Sequence, residues 1–321
     1  MSKIKYIASY FAFLLYFIIF IFALYFAWSN YKENKREKII QENSRLTLGV
    51  DIKKELLAKF YETSEAEILF WSQTGALRLG LDTLKTTWSE FGSDASLKLQ
   101  KIYIDDNPFK VKAELYKAKN SSNYGLIHNA MHLFLYELKK KRRYSDILLL
   151  DMGGNVLYSV QKGKNFAKNI SKNKNNLQEV FSEIRDTDKK DFVSFRDFKD
   201  SMGSFLATSV SDELGDKIGI LVFSLSLEEI EKIAHLKSVD RDLCKNKFVE
   251  SESEFIAYGC LKFKNNYWSI KISDKSQAIY EPIYDEFIKQ LIIYTLMAVL
   301  SILLSYIILE RMLGKKEEDD E

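Results

Sequence analysis

Apolar and polar positions along the chain fall into three textures. Two uncharged apolar blocks, Tyr6 to Trp28 and Leu291 to Leu309, stand near the ends. A helix that crosses a bilayer needs about 20 mostly apolar residues, and both blocks have that length. From Lys32 to about Arg143 apolar residues return every three or four positions with charges between them, as in Ile52, Leu56, Leu57 and Phe60, then Ile68, Leu69 and Trp71. That period predicts helices: a stalk leaving the first block, then a bundle punctuated by Gly75, Gly80 and Gly92 and broken at Asn107-Pro108. At Tyr144 the period shortens. Ile147-Leu148-Leu149-Leu150, the turn residues Asp151 to Asn155, and Val156 to Val160 predict a hairpin with a five-residue loop. Ser204 to Val210 and Lys217 to Leu225 predict two more strands, and Leu227 to Ala234 a helix. Glu254 to Leu261 and Tyr267 to Ile272 predict a last hairpin, turning at Asn265-Asn266, before a helix from Ser276 that feeds the second block. The order helix, hairpin, linker, hairpin, helix is an α+β plan, with a helical N-terminal bundle packed on one face of an antiparallel sheet.

The first block is too long for a cleavable leader, whose apolar region runs about 7 to 15 residues before a small-residue cleavage site. The reading is therefore an uncleaved anchor at 7–28 and a second at 287–309, with short ends at 1–6 and 310–321. Between them lie a helical stalk and bundle at 29–143, an α/β domain at 144–235 and a small membrane-proximal module at 236–286. Lys3 and Lys5 before the first span, and Arg311, Lys315 and Lys316 after the second, favour cytoplasmic ends; Lys32, Lys35, Arg36 and Lys38 argue the other way. Long domains cross largely regardless of charge, so the middle is expected outside, on an inner membrane.

Composition adds little that is specific. Hydrophobic residues make up 46% of the chain, and 47 Lys and Arg face 45 Asp and Glu, a net charge of +2 that gives no reason to expect nucleic acid as a partner. The basic run Lys139 to Arg143 sits where a helix should end and suits its negative pole. The two cysteines, Cys244 and Cys260, form one even pair in the exported part. They are either a disulfide or two unrelated small apolar residues.

Several segments in order resemble the double-Cache, PAS-like extracytoplasmic sensors that precede bacterial chemoreceptors, nucleotide cyclases and histidine kinases. The segments are Leu99 to Ile104 with Asn107-Pro108; Tyr124, His128 and His132; Tyr144, Asp146 and Ile147; Tyr158-Ser159-Val160; Asn165-Phe166-Ala167; Asp197-Phe198; Ser204 to Thr208; and Ile218 to Leu221. The resemblance covers roughly Phe91 to Pro282. It departs at Leu133 and Ser209, where these sensors usually carry proline, and at Asp200-Ser201-Met202, where a tyrosine and a proline are usual. The membrane-proximal module is reduced, with Phe255 to Tyr258, Trp268 to Ile272, Ile279 and Pro282 similar only to its closing part.

His128 and His132 are four apart and share a helical face. With no Glu between them and no third ligand in sight, they read as interior imidazoles that fix the bundle, as part of a small-molecule pocket with Tyr103 or Tyr124, or, least of all, as a metal pair. The candidate ligand-binding residues are Tyr103, Tyr124, His128, His132 and Tyr158. No phosphate loop, nucleophile elbow or cofactor fingerprint is present, so neither an enzyme nor a cofactor is expected. The resemblance implies a sensor that binds a small ligand. Only the residues from Glu310 to Glu321 follow the second block, which leads to the expectation of a signalling partner embedded in the membrane, with a homodimer as a further option. The reading from a different class is an envelope assembly or scaffold protein that uses a sensor-like domain to bind protein.

Overall fold

A computed structural model describes residues 2–119, 122–196, 204–226, 228, 230, 236–238, 242, 244–264 and 266–318. The chain divides into two compact units: residues 51–245 with 259–270, and residues 1–50 with 246–258 and 271–321.

The larger unit begins in α1 (Ser2–Ser72), one unbroken helix. It is followed by α2 (Gly75–Ser89), whose N-cap Thr74 accepts the Leu77 N–H through its hydroxyl. Next comes α3 (Ala95–Gln100), which widens into a π-helical turn over Lys101–Asp105. In α4 (Asn123–Arg142) the Ser122 hydroxyl caps the first turn, and Arg143, left-handed at φ 57°, ends the last.

The sheet that follows has the order β2-β1-β5-β4-β3, antiparallel throughout, built from β1 (Asp146–Asp151), β2 (Val156–Ser159), β3 (Val193–Arg196), β4 (Ser204–Ser211) and β5 (Lys217–Leu225). Its central strands are apolar on both faces because both are covered. On one face Leu148, Leu150, Val156, Ala207, Ile220 and Val222 meet Leu177, Val180, Phe181 and Ile184 of α5 (Asn176–Asp186). On the other, Ile147, Leu149, Leu157, Leu206 and Leu221 share a core with Leu57 and Tyr61 of α1, Leu81 and Leu84 of α2, and Met131 and Leu135 of α4. The α+β class holds, but helices on one face only do not. The segment expected as a linker between the hairpins carries α5, capped by Asn175, and the edge strand β3.

The first hairpin turns as expected, although only Gly154 of the two glycines takes a positive φ, at 87°. The helix expected at Leu227 to Ala234 lies almost wholly outside the described residues, as do Asp197-Phe198, Asp200 to Met202 and Asn265.

The larger unit also holds β6 (Leu236–Ser238), paired with Trp268 to Ile270, and the disulfide between Cys244 and Cys260. Tyr61 stacks on Phe263 and Trp268 there. Strands β8 (Glu254–Phe263) and β9 (Asn266–Lys275) divide between the units, and both exceed their expected lengths.

In the smaller unit β7 (Lys247–Glu250), absent from the sequence reading, pairs with Phe255 to Tyr258. Leu46 and Val50 of α1 form a core with Phe255, Ala257 and Ile279, the last from α6 (Ser276–Glu318). Two helical stretches, within α1 and α6, are long and apolar enough to cross a membrane. Large apolar side chains there, such as Phe11, Phe22, Leu300 and Ile308, face outward. A bilayer is the solvent that removes the cost of that exposure. The two helices touch through a Tyr16–Ser305 hydroxyl bond of 2.9 Å and through the Trp28, Tyr31 and Phe287 rings.

Candidate functional site

Three elements bring the five candidate residues into one cluster. The π-turn after α3 points Tyr103 inward, and such turns are frequent at functional sites. Tyr124, His128 and His132 follow at four-residue steps on the buried face of α4. Tyr158 comes from β2, whose side chains are all buried. All five are 0% exposed. Ring centroids of Tyr103 and His128 lie 4.4 Å apart, those of the two histidines 5.1 Å, and those of His128 and Tyr158 5.3 Å. Phe166 closes the cluster at 5.8 Å from Tyr103.

The segment 106–119 covers it. Asn107 folds that segment on itself: its amide donates to the carbonyls of Tyr103 (2.9 Å) and Lys112 (3.0 Å), and its Oδ1 accepts the Phe109 N–H. The histidines hold the segment down, His132 Nε2 lying 2.6 Å from the Ala113 carbonyl and His128 Nδ1 3.1 Å from that of Tyr116. A carbonyl only accepts, so each of these ring nitrogens carries the proton. His132 Nδ1 is then the acceptor for the Tyr158 hydroxyl at 2.6 Å, while the Tyr124 hydroxyl donates to the Leu157 carbonyl at 2.6 Å. Among the described residues two polar atoms of the cluster stay buried without a partner: the Tyr103 hydroxyl and His128 Nε2. Outside the cluster a cavity of about 450 Å³ opens between the π-turn and the covering segment, lined by Ile102, Pro108, Phe109, Leu115 and Ala118 among others.

Sequence reasoning missed the charged neighbours. Lys162, 2% exposed and left-handed at φ 53°, follows β2, and its ammonium lies 3.4 Å from the Val160 carbonyl. Nothing in the sequence separates it from the chain's many solvated lysines. Asp146, at the start of β1, accepts from the Ser159 hydroxyl (2.6 Å) and from the Ile147 and Gln161 amides.

Burial pushes Lys162 down to about 7, against the pull of Asp146. It pushes His132 down to about 4 and His128 well below its ordinary value, in both cases with help from the Lys162 charge. The tyrosines shift upward for the same reason, and Asp146 is raised by burial despite its hydrogen bonds. At neutral pH the cluster therefore presents neutral rings, one free hydroxyl donor, one free nitrogen acceptor and a lysine near its midpoint. That set can bind and orient a small polar molecule. Among the described residues no three His, Cys, Asp or Glu side chains gather as metal ligands.

No protein-family model matches the chain, and no curated protein matches its sequence. The solved structures it resembles are extracellular sensor domains of the Cache, PAS-like kind, from chemoreceptors and histidine kinases. An extracellular ligand binding receptor from Desulfohalobium retbaense is 14% identical over 60% of this chain and 39% of that one, with a TM-score of 0.34. The ligand-binding domain of Campylobacter jejuni chemoreceptor Tlp3, solved with 4-methylisoleucine, is 14% identical over 65% of this chain and 96% of that one, at 0.32. The sensor domain of the V. cholerae histidine kinase DctB is 12% identical over 61% and 97%, also at 0.32. At such scores the likeness carries no weight of its own, and function has to be argued from the cluster.

Proposed function

We propose that this chain is a sensor anchored in the inner membrane by two spans, with its folded middle outside, and that it binds a small molecule among Tyr103, Tyr124, His128, His132 and Tyr158. The observation that carries the reading is the pair of orphaned atoms at the cluster's centre, the Tyr103 hydroxyl and His128 Nε2. Each buried, unpaired polar group costs about 1–3 kcal/mol, and interiors rarely keep one without a use. A ligand that accepts from the hydroxyl and donates to the imidazole would recover that cost, with Lys162 nearby to meet an anionic group. Access runs through segment 106–119, which two histidine–carbonyl bonds hold shut.

A bound ligand would favour one of two placements of that segment and of the helices beneath it, and only its differential affinity for them can drive the change. Helix α1 packs Leu57, Tyr61 and Ile68 into the same core as the cluster and continues unbroken into its apolar stretch. It is the natural output to a partner in the membrane. Binding is favoured over catalysis because burial holds both imidazoles below their ordinary basicity, which makes the one free nitrogen, His128 Nε2, a poor general base at neutral pH.

The alternative, a scaffold that docks another protein, has its own support. A groove of about 810 Å³ between α1 and α4, lined by Phe70, Trp71, Phe134 and Leu138 among others, lies on the larger unit. A thermal-shift screen of the full chain in nanodiscs against amino acids, organic acids, amines and purines separates the two. The sensor reading expects at least one compound to raise Tm saturably, and expects Tyr103→Phe with His128→Leu to abolish that rise. A screen with no such compound, alongside stable co-purification with an envelope complex, would favour the scaffold.

A further inference from the structure

We propose a second ligand site, for a small oxyanion, at the corner where α1 gives way to α2. The turn between β4 and β5 closes there over a cavity of about 220 Å³. Arg78, Lys190 and Gly215 line it, together with Gln73, Asp191 and Asp212. The half-buried Arg78 carries the argument. Its Nη2 donates to the Gln73 carbonyl at 3.3 Å, and its Nε is buried with no hydrogen-bond partner among the described residues.

Two carboxylates share the cavity, yet among the described residues neither pairs with Arg78. The Asp191 carboxylate is held by the Gln73 amide at 2.9 Å. That of Asp212 accepts the backbone N–H groups of Leu214 and Asp216, both at 2.9 Å, and so stays within its own turn. With both acids engaged elsewhere, the guanidinium makes no direct ion pair among the described residues and keeps N–H donors for another acceptor. Its planar fork matches a carboxylate through two parallel N–H···O bonds, and a tetrahedral oxyanion shares the same chemistry. Gly215, at φ 92°, leaves open space where a Cβ would stand, and Lys190 adds a second cation at the rim. The volume admits an ion or a short-chain carboxylate.

The test is a titration of the full chain in nanodiscs with sodium acetate and, in a second arm, with inorganic phosphate. Each is exchanged for sodium chloride at constant ionic strength while Tm is followed. A saturable rise is expected from at least one of the two, roughly 5 °C at a hundredfold excess over Kd. Arg78→Gln should weaken it at least about tenfold, and the exposed Lys190→Ala, which leaves the guanidinium in place, severalfold. Tyr103→Phe should leave it unchanged, which separates this site from the buried cluster. A response that rises linearly without saturating, or one of equal midpoint in the wild type and in both variants, would overturn the proposal.

Discussion

Burial sets the chemistry of single residues in the cluster, and it makes stability depend on pH. In an unfolded chain His128 and His132 titrate near 6.5, and in the fold both lie lower, His132 at about 4. Across that window the unfolded state binds more protons, so stability falls as pH drops from about 6.5 towards 4. For His132 alone the loss amounts to about 3 kcal/mol. Lys162, at about 7 when folded against 10.5 unfolded, adds a rise in stability from pH 7 upward by the same argument. Asp146, raised by burial, acts in the opposite sense from 3.8 upward, because there the folded state holds the extra proton. Denaturant midpoints taken from pH 4.5 to 9 should climb throughout, and the climb below 6.5 should shrink in His132→Gln. A profile flat between 4.5 and 6.5 would show that the imidazoles are solvated.

Gly154 is a second test at this scale. A Cβ there would meet Ser171 at 3.0 Å and the Phe181 ring at 3.3 Å on a backbone that side chains avoid, so Gly154→Val should cost about 3 kcal/mol in thermal or chemical unfolding. That Tyr124, His128 and His132 share one helical face was legible from their four-residue steps, whereas the π-turn and strand that bring in Tyr103 and Tyr158 left no such period. Lys162 was not legible, because its burial comes from a left-handed backbone and from partners distant in the sequence.

Among the elements, the strands at 204 and 217 and the first hairpin were legible from their β-branched runs and turn residues. Helix α5 was missed although Leu177, Val180, Phe181 and Ile184 keep helical spacing behind an Asn cap, a signal outweighed by the polar residues around it. Its absence from the reading led to a sheet covered on one face only. The four-residue β3 and β7 and the three-residue β6 are too short to show a period, and pairing alone defines them.

Close packing of α2 on the sheet yields a prediction. At Gly219 a Cβ would stand 2.5 Å from the Leu150 carbonyl and 2.6 Å from Leu81, so Gly219→Ala should force the helix outward and cost about 2 kcal/mol, read as a lower midpoint at unchanged m-value. The Cys244–Cys260 bridge closes a short loop, 16 residues apart in sequence. In the chain-entropy model such a loop contributes about 3 kcal/mol, so Cys244→Ser should lower Tm by several degrees and make the protein indifferent to reductant. An unchanged Tm would mean that packing alone holds this part.

For the whole molecule, the two apolar helices and the α+β middle were readable from hydropathy and period. The division into units was not, because β8 and β9 contribute to both and only tertiary contacts decide where one ends. The orientation proposed for the membrane is open to direct test. A single probe cysteine at Lys174 should react with an impermeant maleimide in intact cells, and one at Lys316 only after lysis. The reverse pattern would place the cluster in the cytoplasm.

In the proposed reading the ligand sits in the cluster under segment 106–119. Hydrogen–deuterium exchange on the full chain in nanodiscs, with and without the compound that raises Tm most, tests it most directly. Slower exchange is predicted at Ala113 to Ala118 and along α4 from Tyr124 to Leu135. Protection confined to other segments, with these amides unchanged at saturating compound, would contradict it.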